Sequence, residues 1–345
     1  MPIKISVNGL GRIGRNVVRQ ALLSEDLELV HVNDLNPSVE NLAYLLNFDS
    51  TYGRMMPPAI AKADRIVVGD RTIKVTNCSS VGDINWDEHN IDILVEATGV
   101  IEVQKDIASL IAQARIARGV VTHSSTIADA TIIFGVNENT YETNAHRYVS
   151  SSICDANAVA PALSVLQSNF GISGGNILTL HPWLGYQNLV DGPCRSFAYP
   201  GHFEENFALG RASTEALMPK TTSCFEAVKD VLPDLPEFMS MSYRVPTPIV
   251  SSAVLTVSLQ KHVSQSNIVE VFSDVAMRQK HSVFEVSLDQ AISKDFVGNC
   301  HSCIVDRRWI AVSKNTNEIR LVLWYDNEFA YSARVLDTIR MMENA

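Results

Sequence analysis

Three glycines spaced G-x-G-x-x-G, at Gly9, Gly11 and Gly14, stand directly between a β-branched run (residues 3–7) and a helix-like stretch (residues 15–23). A strand that must turn at once into a helix leaves few folds open, and this spacing gives each glycine a task. The first permits the tight turn, the second lets the backbone approach a pyrophosphate, and the third allows the helix to pack closely on the sheet. The N-terminus of the helix then faces the phosphates. The other reading is a bare strand-to-helix turn. Twenty residues beyond Gly14, at the end of the second apolar run, Asp34 is placed to accept hydrogen bonds from the ribose hydroxyls of a dinucleotide. A carboxylate there repels a 2′-phosphate, so NAD is expected rather than NADP.

The glycines open a longer pattern. Up to about residue 151, short β-branched runs (3–7, 27–32, 91–96 and 120–122) alternate with helix-like stretches, the signature of a doubly wound parallel sheet. After a helix-like segment at 156–167 the strands become longer and closer together, as at 251–260 and 318–325. That spacing suits a mostly antiparallel sheet in a second, α+β domain. The expected class is therefore α/β, with an N-terminal Rossmann-type parallel sheet and a C-terminal α+β catalytic domain. We place the NAD-binding domain at 1–153 and the catalytic domain at 154–330. A long, irregular loop falls at about 182–222, and a C-terminal amphipathic helix at about 331–345 packs back on the first domain.

Composition narrows the function. The 345 residues carry a net charge of −10, with the charges scattered rather than blocked, which excludes a nucleic-acid stripe or a polybasic membrane surface. The first residues lack the zones of a signal peptide, and no apolar stretch approaches about 18 residues. The six cysteines lie far apart, unlike a secreted disulfide scaffold. A cytoplasmic protein with reduced thiols, acting on a small molecule, is expected.

Cys154 lies in SSICDANAVAP, where a strand ends and a helix begins. A sulfur near a helix N-terminus has a lowered pKa and serves as a nucleophile, although a lone cysteine there also serves as a small packing residue. The wider sequence separates these readings. VNGLGRIGR, NDL, VEATGV, GVN at 135–137, C-x-x-N-x-x-x-P, YRVPT and WYDNEFAYSARV resemble the glyceraldehyde-3-phosphate dehydrogenase family, in its order and over essentially the whole chain. The resemblance implies that Cys154 attacks an aldehyde and that His181, 27 residues later, takes the proton, leaving a thioacyl enzyme. A thiolate–imidazolium pair activates sulfur at neutral pH. The resemblance also implies Arg12 and Ile13 at the pyrophosphate, Thr98 and Gly99 at the switch point of the sheet, Asn327 at the nicotinamide amide and Tyr331 near its ring. Arg244 would bind the phosphate of the substrate, Thr222 the attacking inorganic phosphate, and Arg211 matches an arginine kept nearby. A homotetramer is implied as well.

The chain departs from that family where phosphate would bind. SCTTN is replaced by ICDAN, which puts Asp155 and Ala156 at two hydroxyl positions, and HPWLGYQ places Leu184 and Tyr186 where donors are usual. A hydrogen bond to a charged group contributes ~1.5–3 kcal/mol, and a carboxylate ~4 Å from an anion repels it by up to ~4 kcal/mol at an effective dielectric near 20. Arg195, His202, Arg211 and Lys220 in or beside the long loop are candidates to rebuild a phosphate site, or are simply solvated charges. Three functions stay open at this point. The first is phosphate-dependent oxidation of glyceraldehyde 3-phosphate or a related sugar phosphate. The second is the same cysteine chemistry on a less phosphorylated aldehyde, with release to water and Asp155 as base. The third is an inactive NAD-binding paralogue. Cys300 and Cys303 form C-x-x-C without a second ligand pair, so no metal is expected.

Overall fold

In the computed structural model, which describes residues 1–344 except for the side chain of residue 344, the chain forms two compact units. The first comprises Met1–Ile132, Thr140–Ser152 and the chain from Ser332 onward. Its strands Ile3–Asn8, Leu27–Asn33, Ile93–Glu96 and Arg118–Val121 pair in parallel. They are buried along most of their length, as strands covered on both faces must be. Ile3–Asn8 lies at the centre, between Leu27–Asn33 and Ile93–Glu96. The strand order reverses there, and such a switch point leaves a crevice at the carboxyl ends of the strands. The glycine loop leaves from that end.

One edge was not legible in the sequence. Ala59–Lys62, Arg65–Val68 and Arg71–Thr76 form a meander in which only Arg71–Thr76 is parallel to its inner neighbour, Leu27–Asn33. These strands are short and half polar, with Gly69 in the left-handed region (φ 61°) supplying one of the turns.

The C-terminal helix runs Phe329–Asn344 and starts two residues before its expected position. The Asp326 carboxylate accepts from the backbone N–H groups of Glu328 and Phe329 at 3.1 and 2.9 Å, satisfying donors that a helix start otherwise leaves unpaired. Val335, Leu336, Ile339 and Met342 are buried. Within the first unit Arg340 pairs with Asp26 at 2.6 Å, and Arg118 donates to the Met342 carbonyl at 2.8 Å. Of the expected helix, Ala345 lies outside the described residues.

The second unit comprises Ile133–Asn139 and Ile153–Tyr331. Its main sheet runs in the order Met218–Lys220, Phe238–Val245, Ile172–Pro182, Ser251–Leu259, Glu318–Tyr325, Cys303–Asp306, Phe284–Ser287. Most neighbours are antiparallel. The exceptions are Ile172–Pro182 with Phe238–Val245 and Phe284–Ser287 with Cys303–Asp306, which run in parallel. The helix Cys154–Phe170 packs against Ser251–Leu259 and Cys303–Asp306, with most of its residues buried. None of the helices among the described residues is long and apolar enough to cross a membrane.

Candidate active site

The glycine loop of the first unit has the stereochemistry its spacing predicts. Gly9 has φ +92°, and a Cβ there would lie 2.8 Å from the backbone nitrogen of Thr98. A Cβ on Gly14 would meet the carbonyl oxygen of Gly9 at 1.8 Å. Gly11 has nothing within 4 Å of the same position. The outer glycines are therefore required by packing, and the middle one opens onto free space where a ligand can approach the backbone. The helix Arg12–Leu23 follows with Gly11 as its N-cap and no acidic residue in its first turn, so its positive end is uncompensated. Arg12 is held by Asp49 at 2.6 Å and lies over the Tyr52 ring, while Ile13 is half-buried beside it. Asp34 accepts from the backbone N–H of Leu10 at 2.7 Å and of Asn36 at 2.9 Å. Its carboxylate is thus fixed by the loop itself and still has lone pairs to offer.

Glu96 is not among the candidates read from the sequence, although an acid closing an otherwise apolar strand was a signal for it. Its carboxylate is fully buried, and Asn8 Nδ2 donates to it at 2.6 Å and Thr98 N at 2.7 Å, with the Thr98 hydroxyl as a third donor. It thereby holds Thr98 and the turn to Gly99 (φ 72°) at the carboxyl end of the sheet. Burial outweighs the three donors and pushes its pKa up to about 7.

In the second unit Asn327 and Tyr331 are buried near the start of the C-terminal helix. The amide oxygen Oδ1 of Asn327 is buried without a hydrogen-bond partner among the described residues. An orphaned acceptor of this kind calls for an N–H from outside the protein. A carboxamide supplies one, so the donor and acceptor set of the chain fits NAD.

The same unit brings Cys154 and His181 together from different elements. Cys154 opens the helix Cys154–Phe170, just after Ser152 in the left-handed region (φ 57°). Asn157 Nδ2 donates to the Ile153 carbonyl at 3.0 Å and fixes the first turn. His181 sits near the end of the strand Ile172–Pro182, with Nε2 3.7 Å from Cys154 Sγ. Its Nδ1 lies 2.9 Å from the Pro182 carbonyl oxygen. A carbonyl only accepts, so Nδ1 carries the proton and Nε2 presents a lone pair to the sulfur.

Two expectations for this pair need correction. The sequence led us to expect a thiol pKa lowered by the helix N-terminus and a thiolate–imidazolium pair. Instead, burial pushes the Cys154 thiol well up, and the neighbouring Asp155 adds to the shift, outweighing Arg244. Burial and the Arg244 guanidinium lower His181 to about 4. Both shifts favour a thiol beside a neutral imidazole. Asp155, at the start of the same helix, is not a solvated carboxylate. It is buried, its Oδ1 accepts from the Tyr325 hydroxyl at 2.8 Å, and the same oxygen lies 3.5 Å from Cys154 Sγ. Tyr325 stands 170 residues away in sequence, which hid this contact.

The remaining candidates separate into two groups. Arg244 pairs in register with His181 on the adjacent parallel strand and is buried, and its Nε finds no partner among the described residues. Lys220 ends the short strand Met218–Lys220, and burial and Arg244 lower its pKa. Arg211, by contrast, is exposed and held within the long loop by Asp191 at 3.0 Å. Thr222 Oγ1 accepts from the Cys224 N–H at 3.2 Å, shaping the start of the helix Cys224–Lys229. Among the described residues one group combines metal-ligand types at close range, with the ligand atoms of Cys154, Asp155 and His181 within 4.8 Å of one another. Cys300 and Cys303 do not extend into such a group: Cys303 is buried in its strand, and the intervening His301 pairs with Glu285 at 3.1 Å.

A nucleotide-type glycine loop in one unit and, within the other, a cysteine that faces a histidine point to an NAD-dependent oxidoreductase. Comparison with known proteins makes the class specific. A family model described as "Glyceraldehyde 3-phosphate dehydrogenase, NAD binding domain" matches residues 3–104, and one described as "Glyceraldehyde 3-phosphate dehydrogenase, C-terminal domain" matches residues 153–327. Glyceraldehyde-3-phosphate dehydrogenase 2 of Bacillus subtilis is 33% identical over 99% of this chain and 96% of its own length. Glyceraldehyde-3-phosphate dehydrogenase 2 of Streptomyces avermitilis is 35% identical over 98% of this chain and 97% of its own, and the Geobacillus stearothermophilus enzyme is 33% identical over 98% and 97%. The chain belongs to the glyceraldehyde-3-phosphate dehydrogenase family. It is an enzyme of that type, and NAD is its cofactor.

Proposed function

We propose that this enzyme oxidises a small phosphorylated aldehyde, glyceraldehyde 3-phosphate or a related sugar phosphate, through a thioacyl intermediate on Cys154, with inorganic phosphate as the acyl acceptor. The observation that carries this reading is the 3.7 Å approach of His181 Nε2 to Cys154 Sγ, with Nδ1 committed to the Pro182 carbonyl. Cys154 sulfur adds to the aldehyde carbon, and its proton passes to His181 Nε2 and on to the new alkoxide, giving a thiohemiacetal. As that carbon is oxidised, His181 Nε2 takes the hydroxyl proton and a thioester remains. NAD, when bound, would accept the hydrogen of that carbon with its electron pair, as hydride. Attack by the acceptor on the thioester carbon then breaks the C–S bond and releases the acyl group, and the proton held by His181 Nε2 returns to the Cys154 sulfur. A neutral histidine with a low pKa is free to accept a proton throughout the neutral range. Asn327 is assigned to the nicotinamide amide through its unpartnered oxygen, Tyr331 to the side of that ring, and the loop around Gly11, Arg12 and Ile13 to the pyrophosphate. Asp34 takes the ribose hydroxyls, and Thr98 and Gly99 line the switch point.

Asp155 supports a second reading, in which the acyl group leaves to water. Its Oδ1 lies 3.5 Å from the sulfur, where a base for an attacking water would stand. We take Cys154, Asp155 and His181 as a reaction centre rather than a metal site, because His181 Nε2 faces the Cys154 sulfur at 3.7 Å and Asp155 Oδ1 already accepts from the Tyr325 hydroxyl while it faces the same sulfur. The test is NADH formation from glyceraldehyde 3-phosphate with and without inorganic phosphate, beside a Cys154→Ser control. Cysteine- and phosphate-dependent turnover supports the first reading. Cysteine-dependent turnover indifferent to phosphate supports the second, and turnover that survives Cys154→Ser rejects both. The assembly we propose is a homotetramer, which light scattering reads directly.

A further inference from the structure

Arg244 poses an electrostatic question. A buried cation is normally paired, because leaving water without a counter-charge costs several kcal/mol. Arg244 is only 8% exposed, yet it forms no ion pair with any described residue, and its Nε has no hydrogen-bond partner. Nor does Lys220 form a hydrogen bond or ion pair with any described residue. In the strand register Lys220 lies opposite Ser242, Ser242 opposite Thr179, and Arg244 opposite His181. Directly opposed residues share a face, as do residues two apart on one strand. Lys220, Ser242, Arg244 and His181 therefore all project from the face on which His181 meets Cys154. Ser242 and Thr179 confirm the alignment with a hydroxyl–hydroxyl bond of 2.8 Å.

The charges of this face explain why one arginine is insufficient. Asp155 lies at the same centre, 3.5 Å from the sulfur, and its effect on Cys154 and His181 runs against that of Arg244. Neutral His181 adds no charge. Lys220 adds a second positive charge there, with Glu204 and Asp155 the acids that act on it, and Asp155 and Ala156 stand where the family resemblance places two hydroxyl donors.

We propose that Lys220 is this chain's own addition to the phosphate site that the family resemblance assigns to Arg244, and that it supplies the charge that lets the centre beside Cys154 hold a phosphate group. The phosphate is either that of the aldehyde or free inorganic phosphate. The proposal rests on Cys154 as the reacting sulfur only for one of its two tests. The geometry favours Lys220 over the loop cations, since Arg211 is already held by Asp191 in the exposed loop.

The first test compares alkylation of Cys154 by anionic iodoacetate and neutral iodoacetamide in the full-length protein. In Lys220→Met the rate ratio of iodoacetate to iodoacetamide should fall about tenfold, the scale of one charge-assisted hydrogen bond, and Lys220→Arg should restore most of it. An unchanged ratio in Lys220→Met overturns the subsite. If the wild-type thiol reacts with neither reagent, the assignment of Cys154 fails, and the subsite is then judged by the second test. That test is calorimetric titration with inorganic phosphate, which needs no cysteine chemistry. Binding that weakens about tenfold or more in Lys220→Met, with an unaltered circular dichroism spectrum, supports the proposal, and binding at wild-type strength overturns it. Turnover identifies the phosphate held. A KM raised for inorganic phosphate alone assigns the subsite to the acceptor, and one raised for glyceraldehyde 3-phosphate alone assigns it to the aldehyde.

Discussion

The glycine loop and the reaction centre solve different problems with different parts of the chain. In the loop the backbone does the work. Gly9 and Gly14 are demanded by contacts with Thr98 and with the Gly9 carbonyl, all within one strand–turn–helix and its neighbouring strand. In the reaction centre side chains do the work, and they come from far apart: Cys154 from a helix, His181, Arg244 and Lys220 from three strands, and Tyr325 from a fourth. The loop keeps the glycine spacing of a dinucleotide-binding turn, whereas the centre surrounds its cysteine and histidine with Asp155, Arg244 and Lys220. Backbone stereochemistry tolerates little substitution, because a single Cβ at 1.8 Å cannot be accommodated. A side-chain pocket can exchange hydroxyls for charges provided the local balance is kept.

The largest effect that would sharpen this contrast is in the centre. His181→Asn should reduce turnover by about 10²- to 10⁴-fold while NAD binding stays near the wild-type level, since the base acts only on the reacting proton. Steady-state kinetics beside NAD titration decides it, and loss of NAD binding would break the separation of roles. In the loop, Gly14→Ala should destabilise the fold by about 1–3 kcal/mol through overpacking against the Gly9 carbonyl. Gly11→Ala, with open space around it, should leave thermal stability almost unchanged and weaken NAD instead. Equal melting temperatures for the two variants would refute the packing argument.

A smaller effect concerns the thiol. Burial and Asp155 hold the Cys154 pKa up, so wild-type alkylation should keep rising with pH above the ordinary thiol range, and Asp155→Asn should move that profile toward lower pH. An unmoved profile would mean that burial acts alone. The smallest effect belongs to Glu96. Its folded pKa is raised from 4.5 to about 7, so its contribution to stability is fully present below pH 4.5 and is lost as the pH rises through about 7. Melting temperatures of wild type and Glu96→Gln across that window should diverge, with the variant giving the flatter curve.

Sequence spacing alone carried the reading of the first unit. The parallel strands fell at their expected places because buried strands are continuously apolar and glycines punctuate the turns between them. The meander from Ala59 to Thr76 escaped because edge strands are short and mixed in polarity. In the second unit the strand Glu318–Tyr325 was legible from its length, and the pairing of Cys154 with His181 was implied by the family resemblance. Their protonation states were not. A helix N-terminus suggests an acidic thiol, but desolvation and one adjacent carboxylate outweigh it, and neither burial nor the packing of Asp155 is written in the local sequence.

By itself, then, the sequence determined what depends on neighbours along the chain: the glycine turn, the alternation of strands and helices, the start of the helix at Cys154, and the membership that these motifs imply. Only the tertiary structure decided which charges share a face. Register places Lys220 opposite Ser242 and Arg244 opposite His181, and the fold brings the Tyr325 hydroxyl to Asp155 across 170 residues. Electrostatic interaction depends on distance through space and on the water that burial removes, and neither can be counted along a chain.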